Sequence, residues 1–383
     1  MGTADQRTVE IGGRIVGDGA PVYLVAEVGS NHDGDLATAR ELVKRAAAAA
    51  VDAVKFQLFR AASVYPPNCG VVDTPIGPVD LFEVFTESEL PLEWLEELRL
   101  LADDEGVAFL CTAFDEETMG EVAALGLPAL KIASPELNHL PLLRSAARFR
   151  RPLVCSTGLC TLADVDEAVA TIRQESSTAE IVLLQCVTAY PAPVEDSNLG
   201  VIDTLARAFG VPVGLSDHTT DPEETPAVAA AAGACLIEKH LTLDRTRSGP
   251  DHPFAIEPDE LSALVRTVRA LGDLEPDERL LLVRRRYGEA AVERRLGTGR
   301  KEIQPSERPL YPGDKRSIHA IRQITEGEPL GPENLRILRS ERNLSPGLHP
   351  RCWDAVRGAI ASRPIALGEG LAWSHLVRYA SSG

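Results

Sequence analysis

The sequence predicts a (β/α)8 barrel followed by a small β-rich domain. Eight short apolar runs alternate with helix-patterned segments between residues 22 and 272. That count and span fit eight β-α units closing into a barrel, because alternating strands and helices favour a parallel sheet. The remaining chain carries a weak internal repeat rather than more of the same alternation. A doubly wound open sheet is the alternative that such alternation allows.

The strands are expected at 22–28, 53–57, 108–112, 129–132, 153–156, 181–185, 213–215 and 235–240. Each is a short run rich in Val, Ile, Leu, Ala or Cys, as strands buried on both faces should be. Helices are expected at 36–50, 92–104, 162–172 and 258–271, where apolar residues recur every three or four positions. Asp33 and Asp35, Thr161 and Asp164, and Asp221 and Glu223 supply caps or first-turn acids. The stretch 58–90 is a long insertion containing PPN, Gly70 and TPIGP; insertions of this length in compact domains are often lids or binding loops.

Residues 273–312 change character: ERLLLVRRRYGEAAVERR is basic, and GTGRKEIQPSERPLYPGDKR has the composition of a linker. The expected division is a barrel domain over 1–285, a linker over 286–312 and a second domain over 313–383. In that second domain Ile324-Thr-Glu-Gly327-Glu328-Pro-Leu330 recurs as Ile365-Ala-Leu-Gly368-Glu369-Gly-Leu371. Each copy reads as strand, turn, strand, which implies a pseudo-twofold β unit. It holds ten basic against seven acidic residues, whereas the preceding 312 residues hold 29 against 50. Opposite signs favour docking of the tail on the barrel.

A formal charge of −18 argues against nucleic acid or an anionic membrane as the main partner. No apolar run is long enough for a transmembrane helix, and the opening MGTADQRTVE lacks a signal-peptide pattern. Gln6 stands where myristoylation wants Ser or Thr. The seven cysteines are odd in number and include no C-x-x-C pair. Cys111, Cys155, Cys186 and Cys235 lie inside strand-like runs, where Cys acts as a small hydrophobe. A reduced, cytoplasmic protein is the expectation.

Barrel sites are built at the C-terminal ends of strands, and here those ends are polar one after another. They carry Glu27; Lys55 and Gln57; Thr112; Lys131, with Ser134 and Glu136 beyond; Ser156; Gln185, with Thr188 and Tyr190 beyond; Ser216 to His218; and Glu238 to His240. Lys55, Lys131 and the hydroxyls of Thr112, Ser134, Ser156 and Ser216 supply the positive charge and donors that a phosphate needs. The bland alternative is that the lysines only pair with Glu27 or Glu238. His218 and His240, on adjacent strand ends, suit one Mn2+ or Mg2+ ion with Glu27 and water nearby; a merely structural pair is the competing reading. Asp251 follows the eighth strand in a Gly-Pro-Asp turn, as a binding or a turn residue.

These motifs together resemble the sialic acid synthase family. The resemblance rests on Ala26-Glu27-Val28-Gly29-Ser30-Asn31-His32-Asp33-Gly34, Lys131-Ile132-Ala133-Ser134, Ser156-Thr157-Gly158, Gly214-Leu215-Ser216-Asp217-His218-Thr219, Glu238-Lys239-His240 and Gly249-Pro250-Asp251. It covers nearly the whole chain, and the tail is similar to that family's antifreeze-like SAF domain. It implies condensation of phosphoenolpyruvate with an aldose-type sugar, giving a 2-keto acid and phosphate. Lys55, Thr112, Lys131, Ser134, Ser156, Thr188 and Ser216 would then hold phosphoenolpyruvate. His218 and His240 would bind the divalent metal, and Glu27 would lie by it and the reacting carbons. Gln57, Glu136, Tyr190 and Asp251 would face the sugar. The family's dimers place one subunit's SAF domain over the partner's barrel, and Arg339 matches the arginine so delivered. Four departures bear on the sugar: Arg339 is followed by Ser340-Glu341-Arg342-Asn343 instead of P-G-x-G; Lys315-Arg316 stands where one branch has phenylalanine; Ser134-Pro135-Glu136 replaces S-G-E; and Gln185-Cys186 replaces H-C. They point to a divergent sugar-acid product. A Schiff-base pyruvate aldolase using Lys55 or Lys131, and a degenerate sugar-acid binder, are the competing functions.

Overall fold

The computed structural model describes residues 7–74, 77–341 and 343–376. Eight parallel strands close into a barrel in chain order: Tyr23–Glu27 (β1), Ala53–Leu58 (β2), Ala108–Ala113 (β3), Leu130–Ile132 (β4), Leu153–Ser156 (β5), Ile181–Cys186 (β6), Val213–Asp217 (β7) and Leu236–His240 (β8). Each strand lies within two residues of its expected limits. The register shows why the strands stagger: Glu27 pairs with both Lys55 and His240, and Thr112 with both Gln57 and Lys131.

Most of the expected helix caps form, whereas Asp33 instead binds Arg247 and His252 with its carboxylate. Asp35 accepts from the amides of Ala37 and Thr38 at the start of Leu36–Ala48. Thr161 and Asp164 make a reciprocal capping box on Leu162–Glu175. Asp221 accepts from the amides of Glu223, Glu224 and Thr225, fixing the start of Glu224–Ala231. The outward face of the strands and the inward stripe of the helices make one continuous apolar shell.

The barrel floor is closed by an N-terminal hairpin, Thr8–Ile11 with Arg14–Gly17, turning at Gly12 and Gly13. Both glycines have positive φ (58° and 77°), as a two-residue hairpin turn requires. Val9, Ile11 and Val16 pack beneath the barrel against Tyr23, Val25 and Leu236.

The second domain contains an antiparallel pair, Arg316–Ala320 (β9) and Leu335–Arg339 (β10). The two repeat copies hydrogen-bond reciprocally. Ile324 and Ile365 exchange amide bonds; Gly327 donates to Ala361 O as Gly368 donates to Ala320 O; Leu330 donates to Ala359 O as Leu371 donates to Ile318 O. Each copy is therefore completed by the strand leading into the other, around a core of Ile318, Leu330, Leu335, Ile337, Ile365 and Leu371.

Two segments join the domains. The insertion forms a short helix, a hairpin and the helix Leu81–Glu87; its Phe59, Tyr65 and Phe85 pack with Phe114 of the barrel. The stretch read as a linker is helical over Glu289–Leu296, where buried Arg295 pairs with Asp221 and Glu224, and its remainder lies along the barrel. Lys301 donates to Gln185, and Glu307 accepts from the amides of Leu159 (2.7 Å) and Thr188 (2.8 Å). The basic patch of the tail meets acids of the barrel through Lys315–Asp164, Arg351–Glu167 and Arg316–Glu136. Among the described residues no helix is long and apolar enough to cross a membrane, and all seven cysteines are free.

Candidate active site

Successive strand residues face opposite sides of the sheet. Alternate residues therefore fill the barrel: Tyr23, Val25 and Glu27 on β1; Ala53, Lys55 and Gln57 on β2; Leu110 and Thr112 on β3; Ala129 and Lys131 before and on β4; Val154 and Ser156 on β5; Leu236, Glu238 and His240 on β8. Early members of each series belong to the inner apolar cluster, and late members are buried polar groups, with Gln57 half-buried at the rim. One period-two pattern thus builds an apolar plug below and a polar chamber above. On β7 the inward position below Ser216 is Gly214, where a Cβ would lie 2.2 Å from Leu236 O and 2.8 Å from Leu184 Cδ2.

The chamber brings the predicted cationic set together. Lys55 Nζ lies 2.7 Å from Glu27 Oε2, 2.9 Å from Thr112 Oγ1 and 3.6 Å from Glu238 Oε1. Ser216 donates to Glu238 Oε1 at 3.1 Å. Lys131 Nζ donates to Ser156 Oγ at 2.7 Å and to Ile132 O at 2.9 Å. Among the described residues no carboxylate forms an ion pair with Lys131. Gly158 N donates to Ser134 Oγ at 2.8 Å, and a Cβ on Gly158 would meet Thr188 Oγ1 at 2.2 Å. Thr188 Oγ1 is buried without a hydrogen-bond partner.

Burial opposes charge throughout this chamber, and neighbours decide each outcome. Burial alone would raise Glu238, but Lys55 and Lys131 outweigh it and hold the carboxyl at about 2. Burial would lower Lys55, but Glu238 and Glu27 hold it above the usual lysine range. Lys131 is lowered, because burial exceeds the pull of the more distant Glu238. Glu27 is raised, because burial outweighs Lys55.

His218 and His240 face one another with ring centroids 5.6 Å apart. His218 Nδ1 lies 2.8 Å from Val187 O, which makes it a donor; burial would lower the ring, but Cys186 and that carbonyl hold it up at about 9. His240 Nδ1 is buried and has no hydrogen-bond partner. Burial lowers His240 to about 3, so the ring is neutral at physiological pH. Two imidazoles, one neutral with an unsatisfied buried nitrogen and one that would give up its Nε2 proton to a metal, are a donor set that fits a divalent cation. Glu27 is the register partner of His240. Lys55 and Gln57 hold its two oxygens, the latter at 2.5 Å, and among the described residues no three His, Cys, Asp or Glu side chains form a metal-binding group. The protein therefore offers two ligands, leaving the rest to solvent or substrate.

The four residues expected to face a sugar border the chamber on three sides. Gln57 lies on Glu27. Tyr190 stacks on His218 at 4.4 Å and is 45% exposed, while Asp251 accepts from Ser30 N and Oγ and lies 3.9 Å from His240 Nδ1. Glu136 sits on the remaining side, beneath the second domain. Arg339 reaches it despite the altered loop, through Nε at 3.0 Å and Nη2 at 2.6 Å, with its guanidinium over the rings of Tyr65 and Phe114. The contact is made within one chain, whereas the resemblance implies one made to a partner's barrel.

Sequence reasoning did not single out Arg316, Glu307, Lys301 or Tyr65 as parts of this site. Arg316 also binds Glu136, and Tyr65 donates to Glu341 at 2.9 Å. Only a motif departure marked Arg316; no local signal marks the others.

A model described as the NeuB family matches residues 42–277, and one described as the SAF domain matches residues 315–377. The chain is 38% identical over 371 residues to the spore coat polysaccharide biosynthesis protein SpsE of Bacillus subtilis, covering 96% of this chain and 97% of that one. It is 34% identical over 369 residues to an N,N'-diacetyllegionaminic acid synthase of Legionella pneumophila, covering 94% and 96%. The crystal structure of the Bacillus subtilis protein superposes with a TM-score of 0.83 at 36% identity, covering 97% of this chain and all of that one.

Proposed function

The chain belongs to the NeuB family, and on that premise we propose that it condenses phosphoenolpyruvate with an aldose-type sugar to give a sialic-acid-like 2-keto acid and phosphate. The observation that carries this reading is Lys131, a buried cation met by one hydroxyl and one carbonyl, with no ion-paired carboxylate among the described residues. Such a charge is costly unless an anion arrives to meet it. Relatives named as legionaminic acid synthases and pseudaminic acid synthases, similar over nine-tenths of the chain or more, support the reaction class.

In this mechanism Lys131 and Lys55, with Thr112, Ser134, Ser156, Thr188 and Ser216, bind phosphoenolpyruvate. Gln57, Glu136, Tyr190 and Asp251 orient the open-chain sugar so that its aldehyde carbon meets C3 of phosphoenolpyruvate. Carbon–carbon bond formation turns the aldehyde oxygen into an alkoxide and leaves positive charge at C2. Glu27, raised by burial and so suited to proton exchange, takes a proton at Oε2 from the water that adds at C2 and passes it to that alkoxide, which becomes a hydroxyl. The tetrahedral species then breaks the bond from C2 to the phosphate oxygen as C2=O forms, the C2 hydroxyl proton leaving with phosphate, which the lysines and hydroxyls receive. His218 and His240 would hold a Mn2+ or Mg2+ ion, whose Lewis acidity polarises the aldehyde oxygen when bound. A homodimer would exchange the Arg339–Glu136 contact between subunits without changing its chemistry.

The test is phosphate release from phosphoenolpyruvate against a panel of aldoses, N-acetylated and not, with mass analysis of the product. Phosphate coupled to one acceptor supports the reading; none with any acceptor removes it. The lowered Lys131 amine favours one second reading, a Schiff-base aldolase. Borohydride reduction with pyruvate would trap that lysine covalently in the aldolase alone.

A further inference from the structure

Arg316 is fully buried, and each of its three guanidinium nitrogens has a protein partner. Nε and Nη2 both lie 3.0 Å from Glu136 Oε1; Nη2 also donates to Phe114 O, and Nη1 donates to Ser63 O and Ile337 O. One guanidinium therefore ties together the insertion, the barrel and the second domain. The backbone of Arg316 is bracketed by Asn138, which donates to its carbonyl at 2.8 Å and accepts from its amide at 3.2 Å. Asn138 and Glu136 belong to the same turn, Ser134–Asn138, that follows β4.

The result at Glu136 is asymmetric. Oε1 takes both Arg316 and Arg339, whereas Oε2 is buried and has no hydrogen-bond partner. Two cations on one oxygen fix the rotation of the carboxylate, and a bare buried carboxylate oxygen calls for a donor from elsewhere. We propose that Arg316 is a positioning residue for the acceptor sugar: by sharing Oε1 with Arg339, it holds Oε2 out to accept from one hydroxyl or amide N–H of that sugar. Arg316 does not touch the sugar, since its guanidinium is fully buried among protein partners. This inference deepens the synthase reading and rests on it. It assigns discrimination between acceptors to the junction of three chain segments.

The test uses full-length wild type, Arg316→Lys and Arg316→Met with the preferred acceptor and with analogues lacking one hydroxyl or the amide at a time. In wild type, one deletion should raise acceptor KM tenfold or more. In Arg316→Met, the intact acceptor's KM should rise tenfold or more, phosphoenolpyruvate's KM should stay within twofold, and that deletion should cost less than threefold further. Arg316→Lys should fall between them. A deletion penalty of the same size in wild type and in both variants would overturn the inference. Should Arg316→Met not fold, the penalty in Arg316→Lys decides. Loss of phosphate release with every acceptor in wild type would instead remove the synthase reading, and this inference with it.

Discussion

Replacing Lys131 with methionine should make the protein more stable and a worse enzyme at once. The ammonium is 3% exposed and is met only by a hydroxyl and a carbonyl. Apolar replacement of buried charge of this kind is typically neutral to stabilising by about 1–4 kcal/mol, and methionine keeps the length of the side chain. Unfolding entropy of about 2.1 cal/mol/K per residue makes that roughly 1–5 °C in Tm for a chain of this size. The lost charge-assisted hydrogen bond to a bound anion is worth about 1.5–3 kcal/mol, or roughly a tenfold to 150-fold weaker dissociation constant. At a phosphoenolpyruvate concentration 100 times the wild-type Kd, wild type should gain about 2.7 kcal/mol and the variant only about 0.3–1.4. Differential scanning fluorimetry with and without phosphoenolpyruvate reads both effects, and they have opposite signs. A lowered Tm without ligand, together with an undiminished shift on adding it, would refute the assignment of Lys131 to the anion.

His240→Ala should abolish stimulation by divalent ions added to chelator-stripped protein and weaken Mn2+ binding by calorimetry, with unchanged far-ultraviolet circular dichroism; full ion-stimulated activity would remove the metal role. Deleting residues 313–383 strips Arg316 and Arg339 from Glu136, and phosphate release should fall at least about 100-fold while barrel helicity persists, since Arg–carboxylate contacts of this kind are each worth more than 1.5 kcal/mol. Wild-type kinetics in the truncated protein would contradict that. Burial, with Arg351 and Lys315 nearby, lowers His349 to about 4. A histidine depressed from 6.5 stays neutral when folded and protonates first when unfolded, so stability falls as pH drops from about 6.5 to 4, by at most about 3 kcal/mol. His349→Gln should flatten denaturation midpoints across that window; an unchanged slope would show that other groups set it.

The barrel was legible because its strands are buried on both faces and read as unbroken apolar runs. Their last inward positions are where the runs turn polar, so the same reading located Glu27, Lys55, Lys131, Ser156 and Glu238. The N-terminal hairpin escaped notice although its signal is local: Val9 and Ile11, then Gly12-Gly13, then Ile15 and Val16 spell two short strands around a glycine turn. Other failures had no local signal to find. Glu307 is legible as a linker acid; only folding of residues 297–312 back along the barrel brings it to the amides of Leu159 and Thr188. Glu27 was read as a neighbour of the histidines because all three end adjacent strands, and the register does set it beside His240; it also makes the ion pair with Lys55 that was the competing reading, since a buried carboxylate gains more from an ammonium than from a neutral imidazole.

Besides the Thr188 hydroxyl, three groups in the chamber are left unmet among the described residues, and their signs are informative. Lys131 is a cation without an ion-paired anion, His240 Nδ1 is a lone pair without a donor, and Glu136 Oε2 is a carboxylate oxygen without a donor. Each is buried, and each costs folding free energy while it stays unmet. A barrel that only bound a sugar acid would need the first and the third. It would have no use for a pair of buried imidazoles, one of them held neutral with a bare nitrogen. A Schiff-base aldolase would use the lysine and would also have no use for that pair. Anion, metal ion and polyhydroxy acceptor together satisfy all three groups, and of the competing functions only the condensation of phosphoenolpyruvate with a sugar brings all three to one chamber.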